Sequence, residues 1–366
     1  MTTNDESAEH ATESVAVSGA APAMPPAPPA GADRGRKAPR SRLLGRLTIG
    51  VLAFLLVGSV MLNVYLVLLT ALQMESGLAS QVLRAGDEEQ VVAVFTVSGV
   101  IDDEQAGLFR TFARRVRNDQ NVRAVVVRVN SPGGGVSASN QIHQEISRIR
   151  NAGKAVVVSM GGLAASGGYY ISAGADEIVA EPTTITGSIG VIAQWPVLSG
   201  TLEKLGAKMI VLKSSHAEQW KDEMSPWREP SDEQRRHLRD LLDAMQDRFE
   251  QVVVEGRGHK LAPYRGPVPE QPANRPPPEY AAFNGKVYVA EQARTLGLID
   301  TLGYRDKAID RAAVLAGLDE PHVKQYYRRQ TLRERMGFET SPGIHIDGKT
   351  FDEIQTPRIL FMWKAR

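Results

Sequence analysis

No cysteine occurs among the 366 residues, so thiol nucleophiles, disulfides and cysteine-ligated metals are excluded. Net charge is nearly absent too. Lys and Arg number 43 against 42 Asp and Glu, a formal +1, which gives no field for gathering nucleic acid or an anionic substrate. Histidine is scarce, with seven in the chain. None has His-x-x-x-His spacing or an acid-rich neighbourhood, so no metal site or cofactor is expected. Large apolar side chains are almost missing from residues 1–42, where Ala, Pro, Ser and Gly dominate. Such a segment cannot bury a core and reads as a disordered tail.

The adjoining segment is the opposite in character. Leu47–Leu72, "LTIGVLAFLLVGSVMLNVYLVLLTAL", carries no charge and exceeds the ~20 residues that cross a bilayer as a helix. A cleaved secretory signal has a shorter apolar region of ~7–15 residues, so residues 43–73 read as an uncleaved anchor. Arg34, Arg36, Lys37, Arg40, Arg42 and Arg46 precede the run, whereas Glu75 comes after it and the next base is Arg84. That asymmetry predicts a cytoplasmic N-terminus and an extracytoplasmic main domain, on a single-pass protein of the inner (cytoplasmic) membrane. Residues 74–89 read as a polar linker.

From residue 90 the pattern alternates strands and helices. "VVAVFTVSGVI" (Val91–Ile101), "VRAVVVRVN" (Val122–Asn130) and "KAVVVSM" (Lys154–Met160) are valine-rich runs suited to buried strands. Between them, Leu108, Phe112 and Val116 mark one face of a helix, and Ile142, Ile146 and Ile149 mark another that stops at Gly153. The rhythm predicts an α/β fold with largely parallel pairing. Glu233–Gly258 reads as a long amphipathic helix with Leu238, Leu241, Leu242, Met245, Phe249 and Val252 or Val253 inward. Residues 261–283 are too proline-rich for a helix and read as a surface loop. Turns, a short strand and helices close the domain near residue 318, leaving 319–366 as a C-terminal tail.

Two glycine-rich loops come after consecutive strands, "NSPGGGVSASN" and "MGGLAASGGYY". Glycine exposes backbone N–H groups and lets the chain approach a ligand closely, though tight turns use it as well. In the second loop Ser166 stands where a helix is expected to begin, at about Gly167. An N-cap role would suit a serine. The small neighbours Ala164, Ala165, Gly167 and Gly168 are what a nucleophile needs, because a substrate carbonyl must come within about 3 Å. No histidine or cysteine lies near Ser166 in the sequence. His143 is expected half exposed on the flank of a helix, and His216 solvent-facing.

Three segments in order, "VNSPGGGVSASNQIHQEI", "SMGGLAASGGYYISAGADEIVAEPTTITGSIGVI" and "KDEMSPWREPSDEQ", resemble the S49 family of signal peptide peptidases, the SppA type. The resemblance spans residues 90–318 and implies a ClpP/crotonase-like spiral fold preceded by the transmembrane helix. It implies Ser166 as nucleophile, Lys221 as general base, Ser188 as the lysine's hydrogen-bond partner, and main-chain N–H groups of Gly134 and Gly167 as the oxyanion hole. A lysine can serve as a base near neutral pH only if desolvation lowers its pKa by roughly three units from ~10.4. Trp220, Met224, Pro226 and Trp227 supply apolar bulk nearby. Where the family reads "KSG..KD", this chain has the longer "KSSHAEQWKD", so Lys213 stands as the alternative base.

The resemblance further implies apolar peptide substrates such as cleaved signal peptides, and a homo-oligomeric ring. Lys221 lies on a Trp- and Pro-containing arm that needs a neighbour to cover its apolar groups, and interface cores favour such aromatics. Ser166 of one chain is therefore expected to meet Lys221 of the next. Two other readings compete. "GGYYISAGADEIVAEPTTITG" also resembles crotonase-type acyl-CoA enzymes, against which stand the serine at the nucleophile position and the predicted extracytoplasmic location. The third is an inactive scaffold that uses the groove only for binding.

Overall fold

The computed structural model describes residues 40–74, 78–266, 278–329 and 358–362. Most of the expected N-terminal tail and much of the C-terminal one lie outside them, as does part of the proline-rich loop. The chain divides at Leu68 into two units. Helix α1 (Arg40–Met74) carries the apolar run. Its Gly45–Val67 portion has mean hydropathy 2.3, is not buried against protein, and is long and apolar enough to cross a bilayer.

The second unit runs β1 (Leu78–Arg84), β2 (Asp87–Ser98), α2 (Asp103–Asn118), β3 (Val122–Ser131), β4 (Gly133–Gly135), α3 (Val136–Asn151), β5 (Ala155–Ala165), α4 (Gly167–Ser172), β6 (Glu177–Ala180), β7 (Ile185–Gly187) and β8 (Ile192–Gln194). It continues through α5 (Ser199–Lys204), α6 (Asp232–Arg257), β9 (Val287–Val289), α7 (Ala290–Thr295), β10 (Thr301–Leu302), α8 (Arg305–Ala316), β11 (Pro321–Arg328) and β12 (Arg358–Met362). The main sheet has the order β1-β11-β2-β3-β5-β6-β10, with β7 beside the end of β5 and β9 beside β7. Pairing is parallel from β11 through β10, and β1 joins antiparallel at the edge.

Both faces of the central strands are covered, which is why their sequences are continuous apolar runs rather than alternating ones. Val91, Ala93, Phe95 and Val97 face α2, α3 and α4, whereas Val92 and Val94 face α8 through Ala308, Ile309 and Ala312. On the first face Phe95 packs edge-on to Phe109 at 5.5 Å between ring centroids and tilted against Phe112 at 4.8 Å. The buried stripe of α2 is Ala106, Phe109, Phe112, Ala113 and Val116; Leu108, expected inward, takes its half-buried flank.

Two expectations are corrected by the sheet. Residues 78–84 are strand β1 rather than linker, paired with β11 from Leu78 opposite Arg328 onward. The second unit therefore does not close at residue 318, because β11 inserts between β1 and β2. In α6, a reciprocal Ser231–Gln234 capping box starts the helix and Leu238, Phe249, Val252 and Val253 are buried as expected. Leu241 is not, because the C-terminal half of the helix supplies the core contacts.

Candidate active site

The site is built at the C-terminal ends of the parallel strands, where loops are free of the ladder. β5 ends at Ala165, Ser166 comes next, and α4 begins at Gly167 as expected. β7 runs parallel to the end of β5, with Leu163 opposite Ile185, Ala164 opposite Thr186 and Ala165 opposite Gly187. That register carries Ser166 and Ser188 out side by side, one residue beyond the last pair. The Ser166 N–H donates to the Gly187 carbonyl at 2.8 Å and the Ser188 N–H to that of Lys286 at 2.7 Å.

Ser166 and Ser188 are also the two non-glycine residues with positive φ among the described residues, each at 52°. A Cβ in that region costs about 1–3 kcal/mol and persists only where the surroundings impose it, most often at functional sites. Ser166 is fully buried, and its Oγ–H donates a long hydrogen bond, 3.4 Å, to the Gly190 carbonyl.

The two glycine loops meet at this point. A Cβ on Gly167 would lie 2.6 Å from Ser139 Oγ, 3.1 Å from Gly133 Cα and 3.1 Å from the Gly134 nitrogen. Glycine is what allows α4 to start against the β4 backbone. On its other side, Gly134 is packed so closely on Ile101 that a Cβ would fall 2.1 Å from that residue's carbonyl oxygen. The Ile101 N–H donates to the Gly133 carbonyl and the Gly135 N–H to the Ile101 carbonyl, at 2.9 and 2.8 Å. Alternation along an extended strand turns the N–H and C=O of Gly134 to the opposite edge. Ser166, Ser188, Gly134 and Gly167 are thus gathered in one place.

Lys221 is not part of that gathering. It is exposed, in the turns before α6, with its own N–H bonded to the Ala217 carbonyl, and no hydrogen bond links it to Ser166 or Ser188 among the described residues. Of its apolar neighbours, Pro226 is buried and Trp220 packs on His237, with ring centroids 5.1 Å apart. Lys213 is occupied otherwise. Its Nζ lies 2.8 Å from Asp222 Oδ1, while Arg228 grips the same carboxylate through Nη2 at 2.6 Å and Nε at 2.9 Å. The Arg228 guanidinium, aided by Lys213, holds the Asp222 carboxyl far below the usual carboxylate range. Asp222 and Arg228 of "KDEMSPWREPSDEQ" are thereby a clamp on the loop, with Lys213 as its third member.

His216 is exposed, as expected. His143 is not half exposed but buried on α3, against Tyr170 of α4 at 5.5 Å between ring centroids. Burial, then the charges of Arg248 and Arg150, lower its pKa to about 4, so it is a neutral packing group. The sequence pattern placed it on the helix flank and had no means of showing that α4 closes over that flank. No cluster of His, Cys, Asp or Glu that could hold a metal occurs among the described residues.

The segment missed altogether is β12, which lies antiparallel to both β4 and β8 in a separate small sheet. Its signal was present in the unbroken apolar run "ILFM" inside an expected tail.

Comparison with known proteins agrees with this architecture. A model of peptidase family S49 matches residues 148–264, and a Clp protease model matches residues 91–185, the expected ClpP-like fold. A candidate signal peptide peptidase SppA of Enterococcus faecium is 33% identical over 260 residues, covering 68% of this chain and 70% of that protein. A candidate protease of Synechocystis is 35% identical over 212 residues, 58% of this chain and 70% of that one. Protease 4 of Salmonella typhi is 36% identical over 219 residues, 60% of this chain but only 32% of that longer protein.

Proposed function

Because the chain belongs to peptidase family S49, a family of serine peptidases, we propose that it is a membrane-anchored endopeptidase in which Ser166 is the nucleophile and Lys221 the general base. The observation that carries the reading is the placement of Ser166: a buried hydroxyl on a strained backbone, between the Gly134 and Gly167 segments and beside Ser188. In this reading Ser166 Oγ attacks the scissile carbonyl and its proton passes to the Lys221 amine. The main-chain N–H groups of Gly134 and Gly167 take the charge that develops on the carbonyl oxygen. Ser188 orients the lysine. The amine then returns the proton to the leaving nitrogen, and water repeats the sequence on the acyl-enzyme. Membership of a peptidase family leaves the acyl-CoA reading without support.

An exposed Lys221 is consistent with this scheme if a second copy completes the site. The segment leading to it displays Leu205, Ile210 and Leu212 at 74, 76 and 91% exposure, an amount of apolar surface that favours a protein partner. A closed ring of copies would cover the segment, desolvate Lys221 and deliver it to the neighbouring Ser166. The substrates proposed are apolar peptides, including spent signal peptides, reached at a membrane through α1.

The test is hydrolysis of apolar peptides by the detergent-solubilised full chain beside its Ser166→Ala variant. Turnover in the first and none in the second is expected. Equal turnover in rigorously purified variant would remove Ser166 from the mechanism, and none in either would favour the inactive scaffold.

A further inference from the structure

In the loop "NSPGGGVSASN" the glycines have a place in the proposed chemistry and the serines have none. Two of the three serines have ordinary surroundings. Ser131 Oγ accepts the Gly133 N–H at 3.0 Å, and Ser137 is exposed and accepts from Gln141 Nε2 at 3.3 Å. Ser139 differs from both. It is fully buried in the first turns of α3, and its Oγ is the one hydroxyl, among the described residues, that is shut off from solvent without a hydrogen-bond partner.

Other helical hydroxyls of this chain turn back onto the preceding turn, the usual local partner for such a group. Thr111, Ser147 and Ser172 donate to the carbonyls of Gly107, His143 and Gly168 at 3.0, 3.1 and 2.6 Å. Ser139 makes no such bond and abuts the start of α4 instead. A Cβ built on Gly167 would lie 2.6 Å from Ser139 Oγ and 3.1 Å from the Gly134 nitrogen. The hydroxyl therefore stands where the two backbone segments expected to bind the oxyanion meet. Cα–Cβ bonds of a helix tilt toward its N-terminus, the end to which its first N–H groups also point. The atom that such a Cβ would strike thus lies on the side of Gly167 where the carbonyl oxygen is expected.

An unpaired buried hydroxyl destabilises a fold, and alanine would fit the same space with a higher helix propensity. Packing alone gives no reason for a serine here. We propose that Ser139 is a third donor to the oxyanion: its O–H, unpaired in the free site, hydrogen-bonds to the carbonyl oxygen once attack by Ser166 Oγ has placed negative charge there. The hydroxyl keeps its own proton, so the transfer from Ser166 to the lysine is unchanged. The proposal rests on the reading of Ser166 as nucleophile. A contact made in the transition state and absent from the ground state acts on kcat rather than on KM.

The test is Ser139→Ala in the detergent-solubilised full chain, read by turnover of an apolar peptide, by the rate of fluorophosphonate labelling at Ser166 and by thermal unfolding. A fluorophosphonate presents its phosphonyl oxygen to the same donors. Both kcat and the labelling rate are expected to fall by about ten- to hundredfold, with KM within about twofold of the unmodified chain. Tm should rise by about 2 °C, because an unpaired buried group has gone. Unchanged kcat and labelling would overturn the proposal. Lost activity with a lowered Tm would also overturn it, by making Ser139 a packing residue, as would a raised KM with kcat unchanged, which would set the hydroxyl against the substrate before attack. The reading of Ser166 fails separately: an unmodified chain that neither turns over peptide nor is labelled removes that reading and the proposal with it, whereas equal labelling of the unmodified and Ser139→Ala chains removes the proposal alone.

Discussion

At the scale of residues, the backbone of Ser166 is the strongest single feature, since nothing in local propensity favours a serine at φ 52°. Replacement by glycine removes the Cβ that makes this conformation costly. Ser166→Gly is therefore expected to be inactive yet more stable by about 1 kcal/mol, read by thermal or denaturant unfolding beside peptide turnover. A variant that is inactive and less stable would mean that the strain is not where the backbone angles put it. The two lysines separate as cleanly. Lys221→Ala should abolish turnover with folding intact, whereas Lys213→Ala should keep substantial turnover while loosening the Asp222–Arg228 clamp. The reverse pattern would exchange their roles.

The placement of Ser166 at a strand end, with α4 starting at Gly167 against the other glycine loop, was legible in the sequence because small residues around one hydroxyl have a local cause, close backbone packing. The surroundings of Lys221 were not, because four apolar neighbours in sequence do not bury a side chain that the fold leaves outward. The same limit applied to His143, whose burial depends on α4 and on no residue of its own helix.

At the scale of elements, the valine-rich strands were readable since burial on both faces imposes composition. β1 and β11 were not: "LASQVLR" and "PHVKQYYR" are half polar, and each finds its partner across most of the chain. What secures α6 behind the site was hidden for the same reason. Arg257, fully buried at its C-terminal end, meets Asp300 at 2.7 Å, and Lys260 adds a contact of 2.6 Å to the same carboxylate. Burial alone would raise the Asp300 pKa, but Arg257 and Lys260, with the Ile178 N–H, hold it below the ordinary value. Arg257→Ala removes the fully buried member of the pair and strips the main partner from the part-buried Asp300 carboxylate, and is expected to cost about 3–5 kcal/mol of stability, measured by denaturant unfolding. A loss under about 1 kcal/mol would show that water reaches the pair.

The loop clamp has a pH signature. Asp222 has a depressed pKa in the fold, so its contribution is present above the ordinary carboxylate pKa near 4 and is lost as pH falls through the lower folded value. Fluorescence of Trp227, with Trp220 replaced by Phe to remove the indole that packs on His237, should stay constant from about pH 7 to about 4 and change only below that. In Asp222→Asn the altered signal should be present at every pH. A transition centred near pH 5 in the unmodified chain would contradict the clamp.

At the scale of the whole molecule, two arrangements remain to be measured. The bases before the apolar run predict that protease added to spheroplasts removes the domain after residue 75. Protection of that domain would invert the orientation. If Lys221 serves the neighbouring copy, co-assembled Ser166→Ala and Lys221→Ala chains should recover part of the turnover that each lacks alone, since some sites then hold both residues. Verified mixed oligomers without activity would place both residues in one chain.

Beneath both lies the claim that Ser166 is an activated nucleophile. Its most direct measurement is fluorophosphonate labelling of the purified full chain, with the modified residue identified by peptide mapping. The account predicts a single adduct on Ser166, lost in Lys221→Ala and retained in Lys213→Ala. An adduct on another serine, or labelling of Ser166 that is indifferent to Lys221, would contradict it.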